Sequence, residues 1–273
     1  MKTIDLKDWT LFSARRNSDN YFDKDEKTML KVFNIGDEKE IIESLEKDKK
    51  IAKLYTDAGI KTPAVGDFGR TEDGRLCMTY ENIKGKKSLS RAISEDKSLA
   101  EPYMELFAEM GKQIHATKCE EDWIPNYKEL VRLHLPDIPD VSDEKKADML
   151  AFVEKLPDGD SCLHGDFHPG NFIIADDTVY AIDLTDMAKG YYLYDIAWFY
   201  AITITGSTRG KNEILHWDDE LSKKCWGYFT KYYFGNNVPD EQELRIYAKV
   251  WKIARLPLVV HTTTMSPQND DAF

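Results

Sequence analysis

Short apolar runs and one long helical pattern alternate over the N-terminal part of the chain. Residues 28–33 form an apolar run interrupted by a single charged residue, Lys31, which predicts a strand. Between residues 37 and 58, apolar side chains recur at three- and four-residue spacings, which predicts an amphipathic helix. Two further strand-like runs, residues 64–70 and 75–80, flank an Asp-Gly pair typical of a hairpin turn. This part is therefore predicted to hold several strands and one helix.

The rest of the chain has a mainly helical pattern. Residues 101–117 carry an apolar stripe at helical spacing, whereas the stretch 125–139, punctuated by prolines, is predicted to be a connection. Ser142, followed by two acidic residues, is typical of a helix N-cap. Two strand-like runs, residues 172–175 and 179–183, interrupt the helical pattern, which resumes and continues almost to the end.

These patterns together predict an α+β fold in two unequal lobes. Residues 1–82 are expected to form a small N-terminal lobe around an antiparallel sheet. Residues 83–273 are expected to form a larger, mostly helical C-terminal lobe. A chain of 273 residues is long enough to bury a core in each part.

Charge and cysteine content narrow the class of protein. The chain has 37 Lys and Arg against 49 Asp and Glu, a net charge of −12, so its field repels nucleic acid and anionic membranes. Neither is expected as a partner. The uncharged run 196–208 is too short to span a bilayer, and the N-terminus lacks an apolar signal stretch. Four scattered cysteines without a CxxC pair suit free thiols in the cytoplasm: Cys77, Cys119, Cys162 and Cys225.

One loop carries the residues that suit phosphoryl transfer. Asp166 and Asn171 are five residues apart, and Asp183 follows at the end of the next strand-like run. Such transfer needs a carboxylate to orient and deprotonate the acceptor hydroxyl, a role that Asp166 can fill. It also needs oxygen ligands for Mg²⁺, which Asn171 and Asp183 can supply. Lys31, alone in its apolar strand, can provide a cation for the phosphates.

The motif His164-Gly-Asp166-x-x-x-x-Asn171, followed by Ile-Asp183, resembles the catalytic core of the aminoglycoside phosphotransferase and choline-kinase group, relatives of the protein kinases. The resemblance extends over about residues 31–198. It implies a two-lobed protein-kinase-like fold, with ATP (GTP as an alternative) and Mg²⁺ as cofactors. It also implies that Asp195 braces the catalytic core.

The same resemblance implies an adenine-binding hinge at Met78-Thr79-Tyr-Glu81, which binds through the backbone groups of Thr79 and Glu81. Lys31 corresponds to the phosphate-anchoring lysine of the family. Its acidic partner is predicted to be Asp48, with Glu46 as the alternative.

The sequence departs from the family in the expected phosphate loop. Residues 9–22 contain no glycine, so the tip near residues 13–18 would meet phosphate through backbone amides or serine hydroxyls. This departure keeps open a second hypothesis, a kinase-like pseudoenzyme that binds nucleotide or a partner without transfer. A third hypothesis treats His164, Asp166 and His168 as metal ligands of a hydrolase.

The acceptor is expected to be a small molecule with a hydroxyl group. Carboxylates and aromatic faces suit amine-bearing cations, such as an aminoglycoside, an amino sugar or choline. Candidate residues are Asp186, the segment 217–220 and the acidic tail 269–273. Segment 217–220 also suits the acidic first turn of a helix. A protein Ser/Thr acceptor is the alternative, but the stretch from Asp183 to Asp195 is short for an activation segment.

Overall fold

A computed structural model describes residues 2–14 and 16–255. Its N-terminal part is a six-stranded sheet in the order β1-β5-β6-β4-β3-β2, crossed by one long helix, α1. The antiparallel pairs predominate, but β1 runs parallel to β5. The bounds are β1 Lys2–Ile4, β2 Trp9–Ala14, β3 Ser18–Asp23, β4 Thr28–Phe33, α1 Glu38–Asp57, β5 Val65–Thr71 and β6 Leu76–Glu81.

Residues beyond this sheet form a mostly helical part with two small sheets. One small sheet has the order β10-β9-β7, and the other pairs β11 with β8. The bounds are β7 Lys87–Ser88, α2 Leu89–Glu95, α3 Ala100–Ala116, α4 Tyr127–His134, α5 Asp143–Glu154, β8 Ser161–Leu163, β9 Phe172–Ala175, β10 Thr178–Ala181, β11 Ala188–Gly190, α6 Leu193–Tyr200, α7 Thr208–Leu215, α8 Asp219–Phe234 and α9 Glu241–Ala254. The predicted mixed α+β class is confirmed.

Local chemistry explains where the predicted elements begin and end. Asp37 caps α1 by accepting hydrogen bonds from the backbone of Lys39 and Glu40. At the other end Gly59 has a φ of +78°, and the N–H of Ile60 donates to the carbonyl of Tyr55 at 2.8 Å. Glycine is suited to this left-handed position because it lacks a Cβ.

Two local predictions were wrong. The stretch 125–139, expected to be only a proline-punctuated connection, contains α4, which begins at a capping box formed by Asn126 and Glu129. Its prolines lie before the cap and after the last turn, so they do not interrupt the helix. The second strand of the β9–β10 hairpin ends at Ala181, so Asp183 lies in the following loop rather than at the strand end.

The register of the N-terminal sheet determines which face each side chain occupies. Leu30 and Val32 are fully buried on one face, where Trp9 and Tyr21 pack against them. Because side chains alternate along a strand, Lys31 lies on the opposite face. The same face carries Met78, its partner on β6. The α1 helix crosses this face, where the hydroxyl of Tyr80 donates to Asp48 at 3.1 Å.

An aromatic core lies beneath the predicted catalytic loop. Phe167, next to Asp166 in the chain, is fully buried and stacks on Phe107 of α3 with ring centroids 4.4 Å apart. A Cβ at Gly111 would lie 2.7 Å from the ring of Phe167, so a larger residue there would displace that ring. The packing of Phe167 against α3 therefore holds the loop in place.

Within the described residues, no helix is long and apolar enough to cross a membrane.

Candidate active site

The predicted catalytic loop connects β8 to β9 and turns sharply at Gly165. Gly165 has a φ of +81°, and a Cβ there would lie 2.0 Å from the carbonyl oxygen of Asp186. Only glycine accommodates both this backbone conformation and this close approach. The turn brings the backbone of the loop against the segment that follows Asp183.

Asp195, at the start of α6, holds the loop from inside the protein. Its fully buried carboxylate accepts the N–H of His164 at 2.6 Å and the N–H of Gly165 at 2.9 Å. His115 Nε2 lies 3.1 Å from the same carboxylate, and the hydroxyl of Tyr233 lies 2.7 Å from the other ring nitrogen of His115. The buried charge is thus compensated by several donors, as a buried carboxylate requires.

His164 uses both ring nitrogens within the loop. Its Nδ1 accepts the N–H of Asp166 at 3.3 Å, which leaves Nε2 to donate to the carbonyl of Ile182 at 3.1 Å. Burial lowers the pKa of His164, which favours this neutral tautomer. The arrangement argues against the hydrolase hypothesis, because neither nitrogen is available to a metal. Across residues 2–14 and 16–255, no group of three or more His, Cys, Asp or Glu side chains could hold a metal.

Asp166 directly follows Gly165 in the loop, and its carboxylate is affected by a hydrogen bond, by neighbouring charges and by burial. Its Oδ1 accepts the indole N–H of Trp198 at 2.8 Å, and Nε2 of His168 lies 3.7 Å from the same oxygen. Burial by itself raises the pKa of Asp166, but the neighbouring His168 and Arg255 outweigh it and hold the pKa well below its ordinary value. The carboxylate is therefore ionised at neutral pH, as a group that orients a hydroxyl must be.

The structure brings Asn171 and Asp183 together with Asp166. The side-chain amide of Asn171 donates to the carbonyl of Asp166 at 2.9 Å, which leaves its amide oxygen for another partner. The N–H of Ile182 donates to the carbonyl of Asn171 at 2.9 Å, so the residue before Asp183 is bonded to the loop. Asp183 itself is exposed and has a φ of +58°, in the left-handed region that Asp adopts more readily than most residues.

Lys31 and Asp48 lie on the same side of the sheet, where Tyr80 bonds Asp48, without forming a close ion pair. Within the described residues, no contact of 4 Å or less joins their charged groups. Burial raises the pKa of Asp48, although the hydroxyl of Tyr80 and the charge of Lys31 counteract it. Glu46, the alternative partner, is exposed. The charge of Lys31 acts on the partly buried Asp48, so Asp48 remains the preferred partner over Glu46.

Asp48→Asn is expected to make the protein more stable than the unaltered chain, and this gain should be larger at pH 8 than at pH 4. A raised pKa in the folded state means that the unfolded chain loses its proton first, so ionisation of Asp48 favours unfolding as pH rises. Asn cannot ionise and keeps an oxygen for Tyr80. Thermal unfolding midpoints of both proteins from pH 4 to 8 test this, with Glu46→Gln as the exposed control. An equal difference at all pH values would contradict it.

The predicted hinge residues lie on β6 and at its end. Met78 pairs with Lys31 across the sheet, and Thr79 pairs with Leu30. The N–H of Glu81 donates to the carbonyl of Ala64 at 2.8 Å, and its carboxylate accepts the N–H of Ala64 at 3.0 Å. The amide donor of Glu81 is therefore already used within the protein, which leaves its carbonyl as the group that can meet a ligand.

The expected tip of the phosphate loop, near residues 13–18, falls where β2 ends and β3 begins. Arg15 falls outside the described residues. The N–H of Asn34, after β4, donates to the carbonyl of Asn17 at 3.0 Å. Asp19 forms an ion pair of 3.0 Å with Arg75 of the neighbouring hairpin. These contacts tie the base of the tip to the sheet.

The segment 217–220 has a structural role. Trp217 is fully buried and donates its indole N–H to the carbonyl of Ser90 at 2.9 Å. Asp218 caps α8, and Asp219 pairs with Lys211 at 2.7 Å. This segment is the acidic start of a helix, the alternative that the sequence left open. The acidic tail 269–273 lies outside the described residues.

Sequence reasoning missed three residues that contact the loop. Trp198 follows Asp195 by three residues in the chain, but the sequence predictions gave it no role. Trp251 of α9 and Arg255, which directly follows α9, both donate to the carbonyl of Gly165, at 3.0 and 2.7 Å. Arg255 also pairs with Asp186 at 2.7 Å. Only the three-residue spacing of Trp198 from Asp195, which places both on one helix face, could have indicated any of these.

The fold and this site define a kinase-like phosphotransferase architecture. The family model described as "Phosphotransferase enzyme family" matches residues 8–226. The chain therefore belongs to the phosphotransferase enzyme family, which confirms the predicted family and enzyme class. No curated protein sequence matches the chain.

Solved structures of low sequence identity share the fold. Aminoglycoside phosphotransferase APH(3'')-Id from Streptomyces rimosus superposes with a TM-score of 0.59 at 17% identity, covering 90% of this chain and 92% of that one. A thermostable mutant of aminoglycoside phosphotransferase APH(4)-Ia superposes with a TM-score of 0.63 at 15% identity, covering 91% of this chain and 85% of that one. A choline/ethanolamine kinase family protein from Mesorhizobium loti superposes with a TM-score of 0.54 at 12% identity, covering 95% of this chain and 82% of that one. The predicted kinase-like fold is confirmed.

Proposed function

We propose that this protein transfers the γ-phosphate of a magnesium-bound nucleotide, ATP or alternatively GTP, to a hydroxyl group of a small molecule. The observation that carries the proposal is the pair of bonded loops that holds Asp166, Asn171 and Asp183 close together. Lys31 lies on the side of the sheet that α1 crosses, and the charges of both Lys31 and Asp183 act on Asp48 of α1. An acid–base group, oxygen ligands for a metal and a cation for the phosphates are the parts that phosphoryl transfer needs.

Each side chain has a separate task in this proposal. The free amide oxygen of Asn171 and the exposed carboxylate of Asp183 would hold Mg²⁺, which prefers few protein oxygens together with phosphate and water. When bound, the ion neutralises charge on the β- and γ-phosphates. Lys31 offers a second positive charge to the phosphates, and Asp48 keeps a negative charge near Lys31. The carbonyl of Glu81 offers an acceptor to the base at the hinge.

Asp166 orients the acceptor and takes its proton. The acceptor O–H bond breaks, its oxygen bonds to the γ-phosphorus, and the bond from that phosphorus to the bridging oxygen breaks. The products are a phosphate monoester and the nucleoside diphosphate, and the proton passes to the Asp166 carboxylate. Because this carboxylate is a weak base, we assign it chiefly to holding the hydroxyl in line with the phosphorus.

The acceptor class is supported by charge and by the structural neighbours. The chain carries a net charge of −12, and Asp166, Asp183 and Asp186 lie near one another, with Arg255 paired to Asp186. Such a site attracts an amine-bearing acceptor. The Streptomyces rimosus enzyme has been solved with ADP and streptomycin, and the APH(4)-Ia mutant with ADP and hygromycin B. We propose a small aminoglycoside-, amino-sugar- or choline-like acceptor.

The alternative of a protein acceptor is less well supported by the geometry. After Asp183 the chain enters β11 at Ala188 and α6 at Leu193. The few residues in between form a tight connection packed on the loop, with no room for a long segment that could dock a peptide. A small acceptor fits this short connection better.

Asp183→Ala is expected to remove the effect of magnesium on nucleotide binding. The variant loses the exposed carboxylate that we propose as a metal ligand, so Mg²⁺ should no longer strengthen binding of ATP. Isothermal titration of ATP with and without Mg²⁺ into both proteins measures this, with Asp148→Ala on the exposed face of α5 as control. Unchanged magnesium dependence would remove Asp183 from the metal site. Absence of nucleotide binding by the unaltered protein would favour the pseudoenzyme hypothesis.

A further inference from the structure

Two donors approach the same oxygen of Asp166 and leave the other oxygen open. The indole N–H of Trp198 reaches Oδ1 at 2.8 Å. Nε2 of His168 is 3.7 Å from that same Oδ1, while Nδ1 of His168 accepts the N–H of Gly170 at 3.1 Å. Among the residues that the structure describes, Oδ2 has no hydrogen-bond partner. The carboxylate is thus held by one oxygen, and the other is available to an acceptor.

Trp198 and Asp195 hold the loop from one face of one helix. They are three residues apart on α6, so their side chains leave the helix on the same side. Asp195 binds the backbone N–H groups of His164 and Gly165, whereas Trp198 binds the side chain of Asp166. A single rigid element therefore sets both the path of the loop and the orientation of the carboxylate.

The indole of Trp198 is itself fixed by α9. Its ring stacks on that of Trp251 with centroids 3.7 Å apart and planes 6° from parallel. Trp251 donates its own N–H to the carbonyl of Gly165 at 3.0 Å, and the guanidinium of Arg255 lies 5.1 Å from the Trp251 ring. The stack is therefore bonded to the residue that precedes Asp166, so Trp198 cannot turn without disturbing that contact.

We infer that Trp198 is a positioning residue for phosphoryl transfer: its N–H occupies Oδ1 of Asp166 and directs Oδ2 at the acceptor hydroxyl. The inference rests on the proposed function. A fixed carboxylate oxygen favours the in-line approach, because a small misplacement of a reacting group costs much of the rate. The nucleotide lies on the other side of Asp166 in this proposal, so its binding should not depend on Trp198.

Trp198→Phe tests this because it removes the N–H and keeps a smaller aromatic ring beside Trp251, and the Trp123→Phe control makes the same change in ring size. We expect kcat for magnesium-dependent ATP hydrolysis, with water as acceptor, to fall roughly 10- to 100-fold, the effect of one charge-assisted hydrogen bond. KM for ATP should stay within about twofold. Trp123→Phe is the matched control, since Trp123 donates its N–H to the exposed carboxylate of Glu121 at 3.0 Å away from the loop. Equal kcat values for all three proteins would overturn the inference.

A double-mutant cycle separates positioning from a general loss of structure. In an Asp166→Ala background, Trp198→Phe should lower the residual rate by less than twofold, because the group that it orients is gone. Multiplicative losses would show that Trp198 acts independently of Asp166 and would overturn the inference.

Spectroscopy tests the bond without any turnover. In protein labelled with ¹⁵N-tryptophan, the indole signal that disappears in Trp198→Phe should shift in Asp166→Ala. If Asp166→Ala leaves the Trp198 signal unshifted while the unaltered protein still transfers phosphate, the positioning role is overturned. Absence of any nucleotide-dependent transfer by the unaltered protein would instead overturn the proposed function, and this role with it.

Discussion

Asp166→Asn is expected to lower the rate of phosphotransfer roughly 100- to 10,000-fold, the range typical for loss of a general acid–base group. The amide oxygen can keep the hydrogen bond from the Trp198 indole, so the amide nitrogen takes the place of Oδ2. An amide nitrogen cannot accept the acceptor's proton, although the two side chains have nearly the same shape. The loss should therefore fall on turnover, with the dissociation constant for Mg-ATP changed by less than about threefold.

Initial rates of ATP consumption and calorimetric titration of Mg-ATP on the same preparations separate the two quantities. Asp148→Asn, on the exposed face of α5, makes the same chemical change away from the site. If Asp166→Asn retained near-normal turnover, Asp166 would not be the residue that handles the acceptor proton.

Asp195→Ala is expected to give the largest loss of stability, about 3–5 kcal/mol in the free energy of unfolding. The substitution removes the acceptor for the N–H groups of His164 and Gly165 and the partner of His115. All of these donors lie in the interior, where an unpaired polar group is costly. The loss concerns the fold first and activity only as a consequence.

Urea unfolding followed by tryptophan fluorescence measures this change, with Asp160→Ala as a control. Asp160 is also an aspartate near the loop, but it is exposed and pairs with Lys118 at the surface, so its removal should change the midpoint little. Equal midpoints for Asp195→Ala and Asp160→Ala would show that the buried carboxylate does not hold the loop.

The parts of the site that could be predicted are those fixed by short stretches of chain. Asp166 and Asn171 share one turn, and the motif around them is specific enough to indicate Asp183 as well. The face on which Lys31 lies follows from alternation along a strand with buried neighbours at Leu30 and Val32. Local periodicity and capping signals likewise located α1 and α5.

The missed features depend on contacts between distant parts of the chain. Trp198 meets Asp166 across 32 residues, and Arg255 meets Gly165 across 90. No local pattern encodes such pairs. The β1 strand was missed for the same reason, because only its parallel pairing with β5 makes it a strand. The α4 helix was missed because prolines in the stretch were given more weight than the Asn126–Glu129 capping box.

The most direct test of the central claim is ³¹P NMR of the unaltered protein with Mg-ATP and, in turn, streptomycin, hygromycin B and choline. Phosphoryl transfer predicts a new phosphate monoester signal with at least one acceptor, growing as the γ-phosphate signal declines and absent with Asp166→Asn. A protein that binds Mg-ATP but produces neither a monoester nor Asp166-dependent consumption of ATP under these conditions would contradict the proposed enzyme and favour a pseudoenzyme.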